Sequence, residues 1–250
     1  MNPPDAPAAS PPAPANAGEE ALDSFHLIIG GVRTVETRVP LLDNNDRIAA
    51  ANRAEFAGRR ILALNLVSSP GAGKTALLER TLEDFGREVK CGVIVGDLET
   101  DRDARRLQRA HVRVAQITTG GCCHLDAGMV ARAVAALDLR DVRVLFIENV
   151  GNLVCPAAFD LGEALRVVLL SVPEGEDKPL KYPPIFNSAD IVLLTKCDLS
   201  VHLEFDEEAA LANIRRMAPR AQVIAVSARS GRGMNEWQSA LRSALGIHPE

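Results

Sequence analysis

The sequence has no apolar run near the ~20 residues that a membrane-spanning helix needs, so it offers no candidate for one. It also lacks an excess of positive charge. Lys and Arg number 28 against 33 Asp and Glu, for a formal net charge of -5, whereas nucleic-acid binding calls for a clustered basic surface. The opening residues Met1-Asn-Pro-Pro-Asp carry neither a positive segment nor a hydrophobic one. No secretory signal is therefore expected, and the cytoplasm is the expected compartment. No Cys-x-x-Cys pair occurs among Cys91, Cys122, Cys123, Cys155 and Cys197, and five is an odd number for a disulfide framework. In a reducing compartment, cysteines gathered at a site serve as metal ligands or nucleophiles. There is no internal repeat. What is present, 250 residues at 47% hydrophobic and 24% charged, suits one water-soluble α/β domain with extensions.

Residues 1–20 hold six prolines and six alanines with almost nothing to bury, which predicts a disordered tail ahead of a domain spanning 21–250. Leu41, Leu42, Ile48, Ala49 and Phe56 recur at helical spacing and predict an amphipathic helix before the main domain. Beyond it, short apolar runs alternate with helical patterns. Strands are expected at Ile61–Val67, Cys91–Val95, Val112–Ile117, Val142–Ile147, Arg166–Leu170, Ile191–Leu194 and Gln222–Val226. Helices are expected at Thr75–Phe85, Leu125–Leu137, Glu207–Met217 and Met234–Leu245. Continuous apolar strands separated by helices imply an α/β fold with a mostly parallel central sheet covered on both faces. Such sheets bind ligands at the carboxyl ends of their strands.

The first expected strand runs into Ser68-Ser-Pro-Gly-Ala-Gly-Lys-Thr75, followed by a helix. Small residues let the backbone wrap a phosphate while its N–H groups and the helix N-terminus point at the anion. This makes Gly71, Ala72, Gly73, Lys74, Thr75 and Ala76 candidate nucleotide contacts, with Lys74 on the terminal phosphates and Thr75 on Mg²⁺. Ser68 stands where the usual pattern has its first glycine. Asp97 and Glu148 each follow a strand, where a magnesium shell needs negative charge. Either alone also reads as a solvated loop acid. Lys74, Asp97 and Glu148 are the candidate catalytic residues. Asp101 and Asp103 are open between positioning water and capping a helix.

Ile191-Val-Leu-Leu-Thr-Lys-Cys-Asp198 ends in Thr-Lys-x-Asp. Guanine presents two donors along one edge, both of which Asp198 can accept. Adenine lacks the pair and would leave that charge unmatched. The stem of Lys196 can lie over the ring, and Thr195 stands where most guanine motifs have Asn. Ser227-Ala228-Arg229 is similar to the companion loop whose backbone meets the base oxygen. Two further runs, Gly120-Gly-Cys-Cys-His-Leu-Asp126 and Glu148-Asn-Val-Gly-Asn-Leu-Val-Cys-Pro156, follow other strands. Brought together, Cys123, His124 and Cys155 make a thiolate–imidazole–thiolate set of the kind zinc, nickel and copper accept, with an open position. The same residues also read as small core fillers with a capping histidine. Cys91 and Cys197 lie within or beside apolar strands and are expected to be core fillers.

With Gly96-Asp97, Thr100, Asp103-Ala104, Phe159-Asp-Leu-Gly-Glu163 and Ser171-Val-Pro-Glu-Gly-Glu-Asp-Lys-Pro-Leu-Lys-Tyr-Pro183 added, the chain from about Leu41 onward closely resembles the HypB family. These are SIMIBI-class phosphate-loop GTPases that assist nickel insertion into [NiFe]-hydrogenases. The resemblance implies GTP/GDP, Mg²⁺, Ni²⁺ and Zn²⁺ as ligands and a homodimer in the GTP state. It places the metal site (Cys123, His124, Cys155) at the subunit interface, and Ser68 agrees with the family pattern. Expected partners are a HypA-type nickel chaperone and the hydrogenase large subunit. The chain departs from some members in its N-terminus, where the first histidine is His26 and the first cysteine Cys91, so tight nickel storage there is not expected. Competing readings are a phosphate-loop kinase, a metal carrier with a vestigial nucleotide site, and a nickel or zinc carrier for a urease-type enzyme.

Overall fold

The computed structural model describes residues 26–28, 42–98, 102–108 and 112–247. In chain order the elements are β1 (His26–Ile28), α1 (Leu42–Gly58), β2 (Leu62–Ser68), α2 (Lys74–Asp84), β3 (Cys91–Asp97), α3 (Arg102–Gln108), β4 (Arg113–Thr118) and α4 (Ala127–Ala136). There follow β5 (Val144–Glu148), β6 (Leu165–Ser171), α5 (Lys178–Lys181), α6 (Pro183–Asn187), β7 (Ile191–Thr195), α7 (Glu207–Met217), β8 (Gln222–Val226) and α8 (Met234–Ala244). All seven expected strands are present within two residues of their expected ends. Strand β1, helix α3 and the short helices α5 and α6 were not expected. The Pro/Ala-rich tail, Leu41, Thr100 and Asp101 lie outside the described residues.

The strands form one sheet in the order β1-β4-β3-β5-β2-β6-β7-β8. Strands β2 to β8 are mutually parallel, and β1 adds to the β4 edge antiparallel. Alternation along each strand divides its side chains between two layers. Leu64, Leu66, Phe146 and Leu193 face Leu77, Leu107 and Trp237 of α2, α3 and α8. On the other face Ala63, Ile94, Ile117 and Ile147 pack with Phe56 of α1 and Met129 of α4. Farther along that face Val168, Leu170 and Val192 meet Phe186 of α6 and Ile214 of α7. Asp126 and Asp206 cap α4 and α7, accepting from Met129 N at 2.7 Å and Ala209 N at 2.9 Å.

Helix α1 corrects one expectation. Its inward stripe is Asn45, Ala49, Asn52 and Phe56, while Leu42 is exposed. The two asparagines turn inward because carbonyls of two other segments await them: Asn45 Nδ2 donates to Asp160 O (2.9 Å), and Asn52 Nδ2 to Ala127 O (2.9 Å) and Leu161 O (3.0 Å).

Candidate functional site

Strand order reverses around β2, the place where a parallel sheet opens a crevice. Ser68 closes β2, and the chain turns through Gly71 (φ 76°) and Gly73 (φ 99°) into α2. Both glycines hold left-handed backbone that a side chain would strain. Gly73 gives α2 no side-chain cap, so the first N–H groups of the helix remain available to an anion. Lys74 Nζ donates to Ser68 Oγ at 3.0 Å. The residue that departs from the glycine pattern thus holds the loop lysine in place. Burial pushes the Lys74 ammonium down, and Glu148 is the strongest opposing influence.

Glu148 ends β5 next to β2. Its Oε1 accepts from Thr75 Oγ1 at 2.8 Å, while its buried Oε2 has no hydrogen-bond partner among the described residues. Desolvation pushes this carboxyl up to about 7, against Lys74 and the Thr75 hydroxyl. A buried carboxylate oxygen lacking a donor, beside a threonine hydroxyl and Asp97, is a donor set that suits a hard divalent cation. Gly71, Gly73, Lys74, Thr75, Ala76, Asp97 and Glu148 all line one cleft of about 400 Å³. Asp103 and Arg106 of α3 line it as well. Arg106 was missed by the sequence reading. Its Nε donates to Glu79 of α2 at 3.0 Å, a pairing that no local pattern announces.

A second cavity, of about 300 Å³, shares Gly73 and Ala76 with the first. Its walls include Ala72, Thr195, Lys196 and Asp198, and on the far side Ser227, Ala228 and Arg229. Thr195 Oγ1 donates to Ala72 O (2.7 Å) and Lys196 Nζ to Gly71 O (2.7 Å). The segment from Thr195 to Asp198 is thereby fastened to the phosphate loop. Lys196 takes left-handed backbone (φ 58°), which turns the chain so that Asp198 faces the cavity.

The loops after β4 and β5 bring Cys123, His124 and Cys155 together, with their ligand atoms all within 4.8 Å of one another. The Cys123 thiol donates to Cys155 Sγ at 2.8 Å. Burial and the neighbouring Cys155 sulfur push the Cys123 thiol up, while a hydrogen bond from Asn152 pulls it down. His124 is buried, with the Phe159 ring 3.9 Å away at 31°. Two soft thiols and one imidazole suit nickel, zinc or copper. Cys91 and Cys197 are buried away from this cluster, and burial alone drives the Cys91 thiol up to about 12. Asn149 and Asn152, which the sequence reading did not single out, tie the two loops together: Asn149 Oδ1 accepts from Leu125 N (3.0 Å) and Asn152 Nδ2 donates to Cys123 O (3.2 Å).

Comparison with known proteins adds descent to this geometry. The CobW/HypB/UreG nucleotide-binding domain matches residues 62–225. The hydrogenase maturation factor HypB of Azotobacter vinelandii is 53% identical over 238 residues, covering 90% of this chain and 78% of its own. The hydrogenase/urease maturation factor HypB of Helicobacter pylori is 40% identical over 205 residues, 80% of this chain and 84% of its own. A crystal structure of HypB from Helicobacter pylori in complex with nickel superposes with a TM-score of 0.77 at 39% identity, covering 81% of this chain and 95% of that one. HypB from Archaeoglobus fulgidus gives the same TM-score, 0.77, at 40% identity, over 81% and 99% of the two chains. This chain therefore belongs to the CobW/HypB/UreG family of nucleotide-binding proteins, and within it to the HypB branch.

Proposed function

We propose that this protein is a GTP-hydrolysing nickel metallochaperone for [NiFe]-hydrogenase maturation, with a metal site that answers to the bound nucleotide and lies at a dimer interface. One observation carries the reading. Glu148, bonded to Thr75 at the phosphate loop, and Cys155, in the thiol–imidazole cluster, stand on one short segment, with Cys155 only seven positions beyond Glu148.

In this reading GTP and water give GDP and phosphate. The uncapped N-terminus of α2 and the loop amides hold the phosphates, and Lys74 leaves Ser68 for the terminal phosphate oxygens. Thr75 and Glu148, with Asp97 alongside, would hold Mg²⁺, which when bound would supply positive charge against the charge that builds on the phosphates. Asp97 and Asp103 face the same cleft and are acceptors that can orient a water. Asp198 reads guanine, Lys196 covers the ring, and Ser227-Ala228-Arg229 meets the base oxygen.

Nickel is cargo rather than resident cofactor. Cys123, His124 and Cys155 hold it in a partly exposed set of three, which suits transfer better than storage. Zinc is the competing occupant. The partners are a second copy of the chain, a HypA-type nickel chaperone and the hydrogenase large subunit, in the cytoplasm. The Helicobacter pylori relative named for both hydrogenase and urease maturation favours a second reading, in which another nickel enzyme is the recipient. Titration of purified protein with Ni²⁺ and Zn²⁺, in GDP and in a non-hydrolysable GTP analogue, together with GTP turnover, tests the proposal. Nickel affinity that differs between nucleotide states supports it. Turnover without metal binding at Cys155 would sink it.

A further inference from the structure

The Cys123/His124/Cys155 cluster is assembled from two loops, and one amide lies between them. Asn152 Nδ2 donates to the Cys123 carbonyl at 3.2 Å, and Asn152 Oδ1 accepts from Val154 N at 2.9 Å, one residue before Cys155. A carbonyl only accepts and a backbone N–H only donates, so both bonds are met in one orientation of the amide and lost in the flipped one. A single planar group therefore gauges the separation of the two thiol-bearing arms.

The same stretch has a fixed end and a sensing point. Asn149 is buried, and its backbone N donates to Leu66 O at 3.0 Å, prolonging the pairing of β5 with β2. Its side chain holds Leu125 N and Asn65 Oδ1, which makes it a pivot. Between the two asparagines, Gly151 lies against Pro70 of the phosphate loop with no room for a side chain between them. A Cβ at Gly151 would stand 3.0 Å from Pro70 Cα and 3.1 Å from Pro70 N. Close-packed neighbours pass displacement on, so a shift of Pro70 toward Gly151 reaches the segment that carries Asn152. Asn152 is half-buried and follows directly.

We infer that Asn152 is a positioning residue that sets the spacing of the Cys123 and Cys155 sulfurs and, through Gly151 against Pro70, makes that spacing depend on what the phosphate loop holds. The inference rests on the GTP-and-nickel reading above and gives it a physical route. Asn152 lies outside the phosphate cleft, so metal-free GTP turnover is expected to survive its replacement.

The test compares the full-length protein with Asn152→Asp and Asn152→Ala, using Cys155→Ala as control, during Ni²⁺ titration in GDP and in a non-hydrolysable GTP analogue. The readouts are affinity and the sulfur-to-nickel charge-transfer band. Asn152→Asp keeps the acceptor for Val154 and loses the donor to Cys123. It should weaken nickel about fivefold, the value of one lost hydrogen bond, shift the band, and bring the affinities in the two nucleotide states together. A loop that merely lost stability would weaken both states alike and keep their ratio. Asn152→Ser, which retains an acceptor but lacks the reach to Cys123, serves if the other variants misfold. A wild-type ratio in every Asn152 variant overturns the inference and leaves the parent reading standing. Equal wild-type affinities in the two states, or full nickel binding in Cys155→Ala, overturns both.

Discussion

Removal from water lifts the Glu148 carboxyl from 4.5 to about 7, with Lys74 and Thr75 opposing. Without a cation, the folded protein keeps on Glu148 a proton that the unfolded chain releases. This group's contribution to stability is thus whole below pH 4.5 and falls as pH climbs through about 7. Glu148→Gln should flatten that slope in a urea titration series. A divalent cation needs the ionised form, so Mg²⁺ binding should tighten as pH rises from about 6 to about 8, expelling a proton at the lower end of that range and none at the upper. Calorimetry in two buffers of different ionisation heat reads the proton directly, and none released near pH 6 would contradict the account. Glu148→Gln should also reduce turnover more than GDP affinity. At the base site, Asp198→Asn should shift kcat/KM from GTP toward xanthosine triphosphate, because the lost acceptor matches a base with one fewer donor; an unchanged ratio would remove Asp198 from base reading. These residues were legible because each motif is contiguous in the chain. Ser68 departs from the general glycine pattern but agrees with the family's, and the structure adds its bond from Lys74; Thr195 read as a departure until its bond to the Ala72 carbonyl was seen. Asn152 carried no signal at all, since its meaning lies in a carbonyl 29 positions away.

Helix α1 works as a clasp. Asn45 joins Asp160 O (2.9 Å) to Ala127 N (2.8 Å), and Asn52 joins Ala127 O to Leu161 O. Ala127 begins α4 just after His124, and Asp160–Leu161 follow Phe159, so the segments that carry His124 and Phe159 are both held from behind. Asn52→Ala removes the side-chain donor to two carbonyls, Ala127 O and Leu161 O, and should lower unfolding free energy by about 1–3 kcal/mol. Gly162 allows the approach: at φ 89° its missing Cβ would lie 2.6 Å from Ala49 O. Gly162→Ala should therefore cost at least as much as Asn52→Ala, through strain and collision together. Urea midpoints of the two variants check both, and wild-type midpoints would show that α1 is merely apposed. Hydropathy could predict this helix but not its inner face, because it scores Asn as outward whatever awaits it. Seven-residue α3 and three-residue β1 were too short for any periodicity to register.

For the molecule as a whole, the proposed function requires reciprocity: if a γ-phosphate tightens a dimer and a metal prefers one arrangement of Cys155, each must affect the other by the same factor. Sedimentation across a nickel series, with GDP or a GTP analogue, should show a dimer fraction that responds to both. Cys123→Ala, His124→Ala and Cys155→Ala should abolish the metal response, while Cys91→Ala and Cys197→Ala leave it intact. A dimer fraction indifferent to nickel in the unmodified protein would leave two independent sites. The alternation of strand and helix revealed a parallel sheet, but not the neighbours of each strand, since apolar runs of similar composition pair interchangeably on paper. That arrangement has a kinetic consequence. Strand β2 pairs with β5 and β6, so Leu62 lies beside Val144 and Ser68 beside Leu169. The phosphate loop, complete by Thr75, leaves the ribosome with neither neighbour yet made. Contacts this distant in sequence close slowly, so the centre of the sheet is settled late in synthesis, after more than half of the chain has emerged, and the edge formed by β7 and β8 joins last.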